Sequence, residues 1–183
     1  MKTGAIVARF QVGELHAGHH HLIQSVYKKS DQVVICLGEP AFRDEKNILP
    51  FEIRRGMILE TYPGAKIYKI RDHRESNELW SGNLDMILNE FENVTLYGSR
   101  DSFNSFYTGK YPYEEIPELV GFNGTLERNK MLAAIPNNTP DYRKGLIKGY
   151  HLKEEYNREF NEAYKKGIQN IIDTENDMPF SLK

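Results

Sequence analysis

Residues 4–30, GAIVARFQVGELHAGHHHLIQSVYKKS, change periodicity partway through. GAIVARF is a short β-rich apolar run, the pattern of a strand covered on both faces. HHHLIQSVYKKS then sets Leu22, Ile23, Val26 and Tyr27 along one side of a helix. The same alternation continues outward. DQVVICLGEP reads as a second strand stopped by Gly38 and Pro40, and FEIRRGMILETYP as a helix with Ile53, Met57 and Leu59 inward, closing before Pro63 and Gly64. AKIYKI is a third strand, NELWSGNLDMILNEF a helix and NVTLYGS a fourth strand. EEIPELV is a fifth, at an edge because Pro117 removes a backbone donor. TLERNKMLAAI and PDYRKGLIKGY are shorter helices. Strands separated by helices require right-handed crossovers. The pattern therefore predicts an α/β fold: a doubly wound, Rossmann-like parallel sheet of about five strands with helices on both faces.

A chain of 183 residues suits one domain, here residues 1–150, with a C-terminal helix and tail over 151–183 packed on it. In that last segment Leu152, Tyr156, Phe160, Tyr164, Ile168 and Ile171 recur at near-helical spacing among many charges, a face that packs on its own domain or on a second subunit. With 39% hydrophobic and 27% charged residues the chain can build a core. A net charge of -2 supplies no global positive field, so neither nucleic acid nor an anionic membrane is expected as a partner. The opening apolar stretch reaches Arg9 too soon for a signal peptide, and no stretch has membrane-spanning length, so a cytoplasmic location is expected. Cys36 is the only cysteine; within VVICLG it reads as a buried structural thiol.

Four of the six histidines, His16, His19, His20 and His21, crowd the turn between the first strand and its helix. In a doubly wound sheet, ligands bind beyond the carboxyl ends of the strands, where this turn lies. A helix beginning about His19 offers amides and positive potential to an anion, Gly18 allows close backbone approach, and His16 and His19 can point at one phosphate. His20 and His21 read as a solvated and a packing position. Zinc would need further ligands at compatible spacing, which are missing, so no metal site is assigned. Neither G-x-G-x-x-G nor a G-K-[ST] loop is present.

RFQVGELHAGHHHLI resembles the signature of the nucleotidyltransferase superfamily, whose first strand runs into H-x-G-H at the start of a helix. The leading RFQ (Arg9, Phe10, Gln11) most resembles nicotinamide-mononucleotide adenylyltransferases, including those fused to Nudix domains, although the glutamate-rich Nudix box is absent here. GFNGTLERNKM resembles the superfamily's second motif, with Thr125 and Arg128 matching and Asn123 standing where the family has serine. Taken alone, Thr125 is a helix cap and Arg128 a surface charge; the first motif changes that reading. NILPFEIRRGMI aligns Arg54 with an arginine near the bound nucleotides. IRDHRESNELW aligns Asp72 with the pocket edge and Trp80 with an aromatic that stacks on the nicotinamide ring, for which core packing is the alternative. LYGSRDSFNSFYTGKYP resembles the loop after the fourth strand, with Gly98, Ser99, Arg100 and Asp101 beside the adenine ribose.

What the resemblance implies is transfer of AMP from ATP to nicotinamide mononucleotide, giving NAD and pyrophosphate. His16, His19 and Arg128 would be catalytic. Arg9, Phe10, Gln11, Gly18, Arg54, Asp72, Trp80, Gly98 to Asp101 and Thr125 would bind substrate, with Mg2+ accompanying ATP. A homo-oligomer is possible. Rival readings are cytidylyl or adenylyl transfer to another phosphorylated acceptor, and a nucleotide-sensing module without catalysis. A class I aminoacyl-tRNA synthetase shares the histidine signature, but this chain is short and lacks that family's lysine loop.

Overall fold

A computed structural model describes residues 1–40, 46–73, 75–100, 103–122 and 124–133. In chain order they form β1 (Thr3–Ala8), α1 (Ala17–Lys29), β2 (Gln32–Glu39), α2 (Phe51–Thr61), β3 (Lys66–Arg71), α3 (Asn77–Leu88), β4 (Val94–Gly98), β5 (Tyr113–Glu115) and α4 (Gly124–Ala133). The strands make one parallel sheet in the order β3-β2-β1-β4-β5. Central β1 pairs on both sides, Ala5 opposite Val34 and Leu96, Ile6 opposite Ile35 and Tyr97. The strand order reverses between β1 and β4, which is the topological switch point of a doubly wound sheet.

Alternation within β1 decides which helix covers which face. Ala5 and Val7 join Val34, Cys36, Ile70, Val94 and Leu96 in a buried cluster with Trp80, Leu84 and Leu88 of α3. Gly4 points the other way, against α1: a Cβ there would lie 2.3 Å from Val26 Cγ1 and 2.6 Å from Ser30 Oγ. Helices therefore cover both faces, and α1 sits so close to β1 that only a glycine fits between them. Cys36 is fully buried, and burial pushes its thiol pKa up to about 12, as a structural thiol requires.

The chain divides into two compact units. One comprises Met1–Phe10, His16–Ala41 and Gly64–Phe122, and carries the sheet with α1 and α3; the other comprises Gln11–Leu15, Phe42–Pro63 and Asn123–Lys183, and carries α2 and α4. The expected boundary at residue 150, the helix PDYRKGLIKGY and the segment 151–183 lie outside the described residues. Among those described, no helix is long and apolar enough to cross a membrane.

Local differences from the sequence reading have physical causes. α1 begins at Ala17 rather than about His19, because the His16 side chain caps it. Gly38 does not stop β2 but pairs inside it with Ile70, and the strand ends at Glu39 before Pro40. The buried stripe of α2 is Ile53, Arg54, Met57 and Ile58, while Leu59 is half-buried; the 3.6-residue period carries position 58, not 59, into line with 53 and 54. β5 lies at the edge as expected but pairs through Tyr113–Glu115, ahead of Pro117, which has no N–H to donate.

Candidate active site

The turn after β1 is built by aromatic stacking and one unusual cap. Phe10 leaves the strand with φ 47, a left-handed conformation that costs a bulky residue roughly 1–2 kcal/mol. Its buried ring lies 4.8 Å from His19, tilted by 55°. His19 stacks on His16 at 3.7 Å between centroids and 19° between planes, and His16 in turn faces Phe122 at 5.9 Å and 21°. Four rings thus form a column across the amino end of α1.

His16 is the N-cap of that helix. Its Nδ1 accepts a hydrogen bond from the Gly18 N–H at 3.2 Å, and its carbonyl accepts from His19 N and His20 N at 2.9 and 3.1 Å. An accepting Nδ1 fixes the tautomer, placing the proton on Nε2. The Gly18 amide, expected to be open to an anion, is therefore occupied by the histidine beside it. Gly18 also needs its missing side chain, since a Cβ would lie 3.1 Å from the His16 ring and 3.3 Å from Phe122 Cβ.

His19 is held neutral. Its pKa is lowered to about 3, first by burial and then by the neighbouring His16 and His20. Its Nδ1 is buried without a hydrogen-bond partner among the described residues. The neighbouring His16 Nε2 is buried as well. The two stacked imidazoles, of which His19 is neutral, stand together beyond β1.

Arg9 and Asp72 pair beyond the ends of β1 and β3. Arg9 Nη2 donates to Asp72 Oδ2 at 2.6 Å, linking the ends of β1 and β3 across the end of β2. Gly38 leaves the room: its Cβ would lie 3.4 Å from Asp72 Oδ1 and 3.6 Å from Arg9 Cγ. The Asp72 backbone is itself anchored by its N–H to the Glu39 carbonyl at 2.9 Å. Beyond β4, Gly98 is buried and its carbonyl accepts from Ile116 N at 2.9 Å, and Ser99 is half-buried. Arg100 has φ 54; its Nε donates to the Glu118 carboxylate and its Nη2 to the Phe122 carbonyl at 3.2 Å. Asp101 and Asn123 lie outside the described residues.

Trp80 is 6% exposed and turned into the core, with Phe106 at 5.1 Å, Phe103 at 6.1 Å and Tyr107 at 6.4 Å. Its surroundings support the packing alternative. In the second unit, Gln11 forms a reciprocal amide pair with Leu49, donating to its carbonyl at 3.2 Å and accepting from its N–H at 2.7 Å. This pair imitates one rung of a β-ladder and fixes the chain ahead of α2. Arg54 is fully buried, its Nε donating to the Pro50 carbonyl at 3.3 Å. Thr125 and Arg128 meet one turn apart on α4, where Arg128 Nη2 donates to Thr125 Oγ1 at 3.2 Å, as the i, i+3 spacing allows.

Sequence reasoning missed Phe122 as a member of the ring column and Glu118 as an arginine partner. The signal that could have found Phe122 is its place two residues before the Gly124–Thr125 turn. Among the described residues no group of three or more His, Cys, Asp or Glu could hold a metal ion.

No protein-family model matches the chain, and no curated protein does. Solved structures do match. A bifunctional NMN adenylyltransferase/ADP ribose pyrophosphatase from Francisella tularensis, solved with AMP and a manganese ion, matches with a TM-score of 0.64 and 18% identity, covering 96% of this chain and 53% of that one. Two NadR structures, one with NAD and AMP-PNP and one with NR, match with TM-scores of 0.49 and 0.48 and identities of 15% and 19%. They cover 72% and 63% of this chain and 42% and 38% of theirs. The chain spans about half the length of the adenylyltransferase it matches. At such identity the shared property is the fold.

Proposed function

We propose that this chain is a nucleotidyltransferase that moves AMP from Mg–ATP to nicotinamide mononucleotide. The observation that carries the reading is the stacked His16–His19 pair beyond β1, at the switch point of the sheet. That is where a doubly wound fold receives a phosphorylated ligand.

In the proposed reaction a 5′-phosphate oxygen of the acceptor attacks the α-phosphorus of ATP. The bond from that phosphorus to the bridging oxygen breaks, and pyrophosphate departs with its electron pair. The attacking oxygen is already ionised, so no protein base is needed. Catalysis then rests on in-line positioning and on donors matched to the charge that develops at the α-phosphate. His16 and His19 serve there as ring N–H donors. A neutral donor suits this role, because it stabilises the pentacoordinate phosphorus without binding the ground-state triphosphate as tightly as a cation would. Thr125 and Arg128 are assigned to the β- and γ-phosphate oxygens, Arg128 through its guanidinium fork. Arg9, steadied by Asp72, contributes positive charge, and Phe10, Gly18, Gly98 and Ser99 shape the wall. Magnesium belongs to the substrate, carried by the phosphates and water.

The test is pyrophosphate release from the purified protein with Mg–ATP and nicotinamide mononucleotide, with NAD identified by mass. The acid mononucleotide, and CTP with alcohol phosphates, form the comparison panel. Product only with another acceptor would replace the substrate assignment. Calorimetric ATP binding with no product from any acceptor would replace the enzyme with a nucleotide sensor.

A further inference from the structure

Residues 116–122 cross the amino end of α1 as a strap fixed at several points. Ile116 N donates to the Gly98 carbonyl at 2.9 Å, and the Pro117 carbonyl lies 3.1 Å from His21 Nε2. Arg100 grips the far end twice, through the Glu118 carboxylate and the Phe122 carbonyl. Phe122 then lays its ring nearly parallel to His16, although the residue is 39% exposed. Gly121 turns the chain into this position with φ 95. The backbone that carries this ring is held by Arg100 through the Phe122 carbonyl.

We propose that Arg100 and Phe122 are positioning residues for the H-x-G-H turn. Arg100 sets the carbonyl of residue 122, the Phe122 ring backs the His16 ring, and His16 is thereby kept in the pose that caps Gly18 and directs Nε2–H away from the Gly18 amide. Arg100 acts on the reaction through His16 rather than by touching nucleotide. The consequence for turnover rests on the transferase reading; the effect on His16 does not.

The test uses full-length 15N-labelled protein and the variants Arg100→Gln, Glu118→Gln and Phe122→Leu. Exposed ion pairs contribute little to stability, and Arg100 and Glu118 are both exposed, so the first two variants should melt close to the parent. Long-range imidazole spectra of the parent should show His16 as the Nε2–H tautomer. In Arg100→Gln and Phe122→Leu the His16 nitrogens should move toward tautomer-averaged values, and the Gly18 amide should exchange about tenfold faster or more. His73, bound elsewhere to Glu75 and Asn83, is the internal control. If the parent makes NAD, kcat in these variants should fall roughly tenfold to a hundredfold with the ATP KM nearly unchanged. His16 signals and Gly18 exchange identical to the parent in both variants would overturn the proposal, whether or not the protein is a transferase. A parent that makes no product while the His16 signals move would overturn only the reaction. Should Arg100→Gln fail to fold, Glu118→Gln decides through the same two signals.

Discussion

Replacing His19 by Gln should flatten the acid limb of the stability curve. In the folded chain the pKa of His19 is lowered to about 3 from 6.5, chiefly by burial. Unfolding exposes the ring and restores the ordinary value. Between these two values the unfolded chain binds more protons than the folded one, so stability rises with pH. The contribution is fully present above pH 6.5 and is lost progressively as pH falls toward 3. At pH 5, two units above the folded value, the folded ring is still neutral, and the loss is set by protonation of the unfolded ring alone. A group of pKa 6.5 at pH 5 then contributes about 2 kcal/mol of destabilisation relative to pH 7.5. With a urea m-value of about 2 kcal/mol/M the midpoint moves by about 1 M. Urea titrations of parent and His19→Gln at pH 7.5 and 5.0 read this directly. The variant loses ring stacking at both pH values, so its absolute stability falls, but its drop between the two should be smaller by about 2 kcal/mol. Histidines not coupled to His19 cancel in the comparison. Equal drops in parent and variant would show that His19 titrates normally and is not the desolvated donor that the proposed chemistry uses.

Trp80→Ala should lose about 3–5 kcal/mol from removal of a buried aromatic, measured by chemical denaturation. An unchanged midpoint together with a raised acceptor KM would return Trp80 to the substrate pocket. Gly4→Ala places a methyl within 2.3 Å of Val26 Cγ1 and should cost about 1–3 kcal/mol through overpacking; a neutral thermal melt would mean α1 can slide on the sheet. His19→Ala should lower kcat about 10²–10³-fold, the usual loss of a transition-state donor, while calorimetric ATP affinity changes little; equal losses in both would make His19 a ground-state ligand. Arg128→Lys keeps charge but not the fork, so its ATP KM should rise while folding is retained, checked by initial rates over a range of ATP.

The alternation of apolar strands with amphipathic helices made the sheet legible: β1, β2 and β4 are buried on both faces and need no partner information to be recognised. β1 to β4 and α1 to α3 follow from local periodicity. The local details escaped where a side chain overrode propensity. Histidine is not a preferred N-cap, so nothing in the sequence marked His16 as the start of α1. The motifs identified His16, His19, Thr125 and Arg128 as candidates, but not what surrounds them. Arg9 and Asp72 are 63 positions apart, and Gln11 and Leu49 are 38 apart; pairing at such separations is set by topology. Likewise, the burial of Trp80 depends on Phe103, Phe106 and Tyr107 returning from the far side of β4. A single tryptophan after a loop of mixed charge carries no trace of those three rings.

The sole thiol of the molecule lies at the centre of β2, fully enclosed and protonated far above neutral pH. A maleimide or disulfide reagent can reach it only after the sheet parts, so the rate of its capture measures sheet opening in the unmodified protein. Ligands that bind the closed form should slow that capture in proportion to their occupancy. The chain thus carries its own reporter, by which candidate nucleotides can be ranked before any reaction is observed.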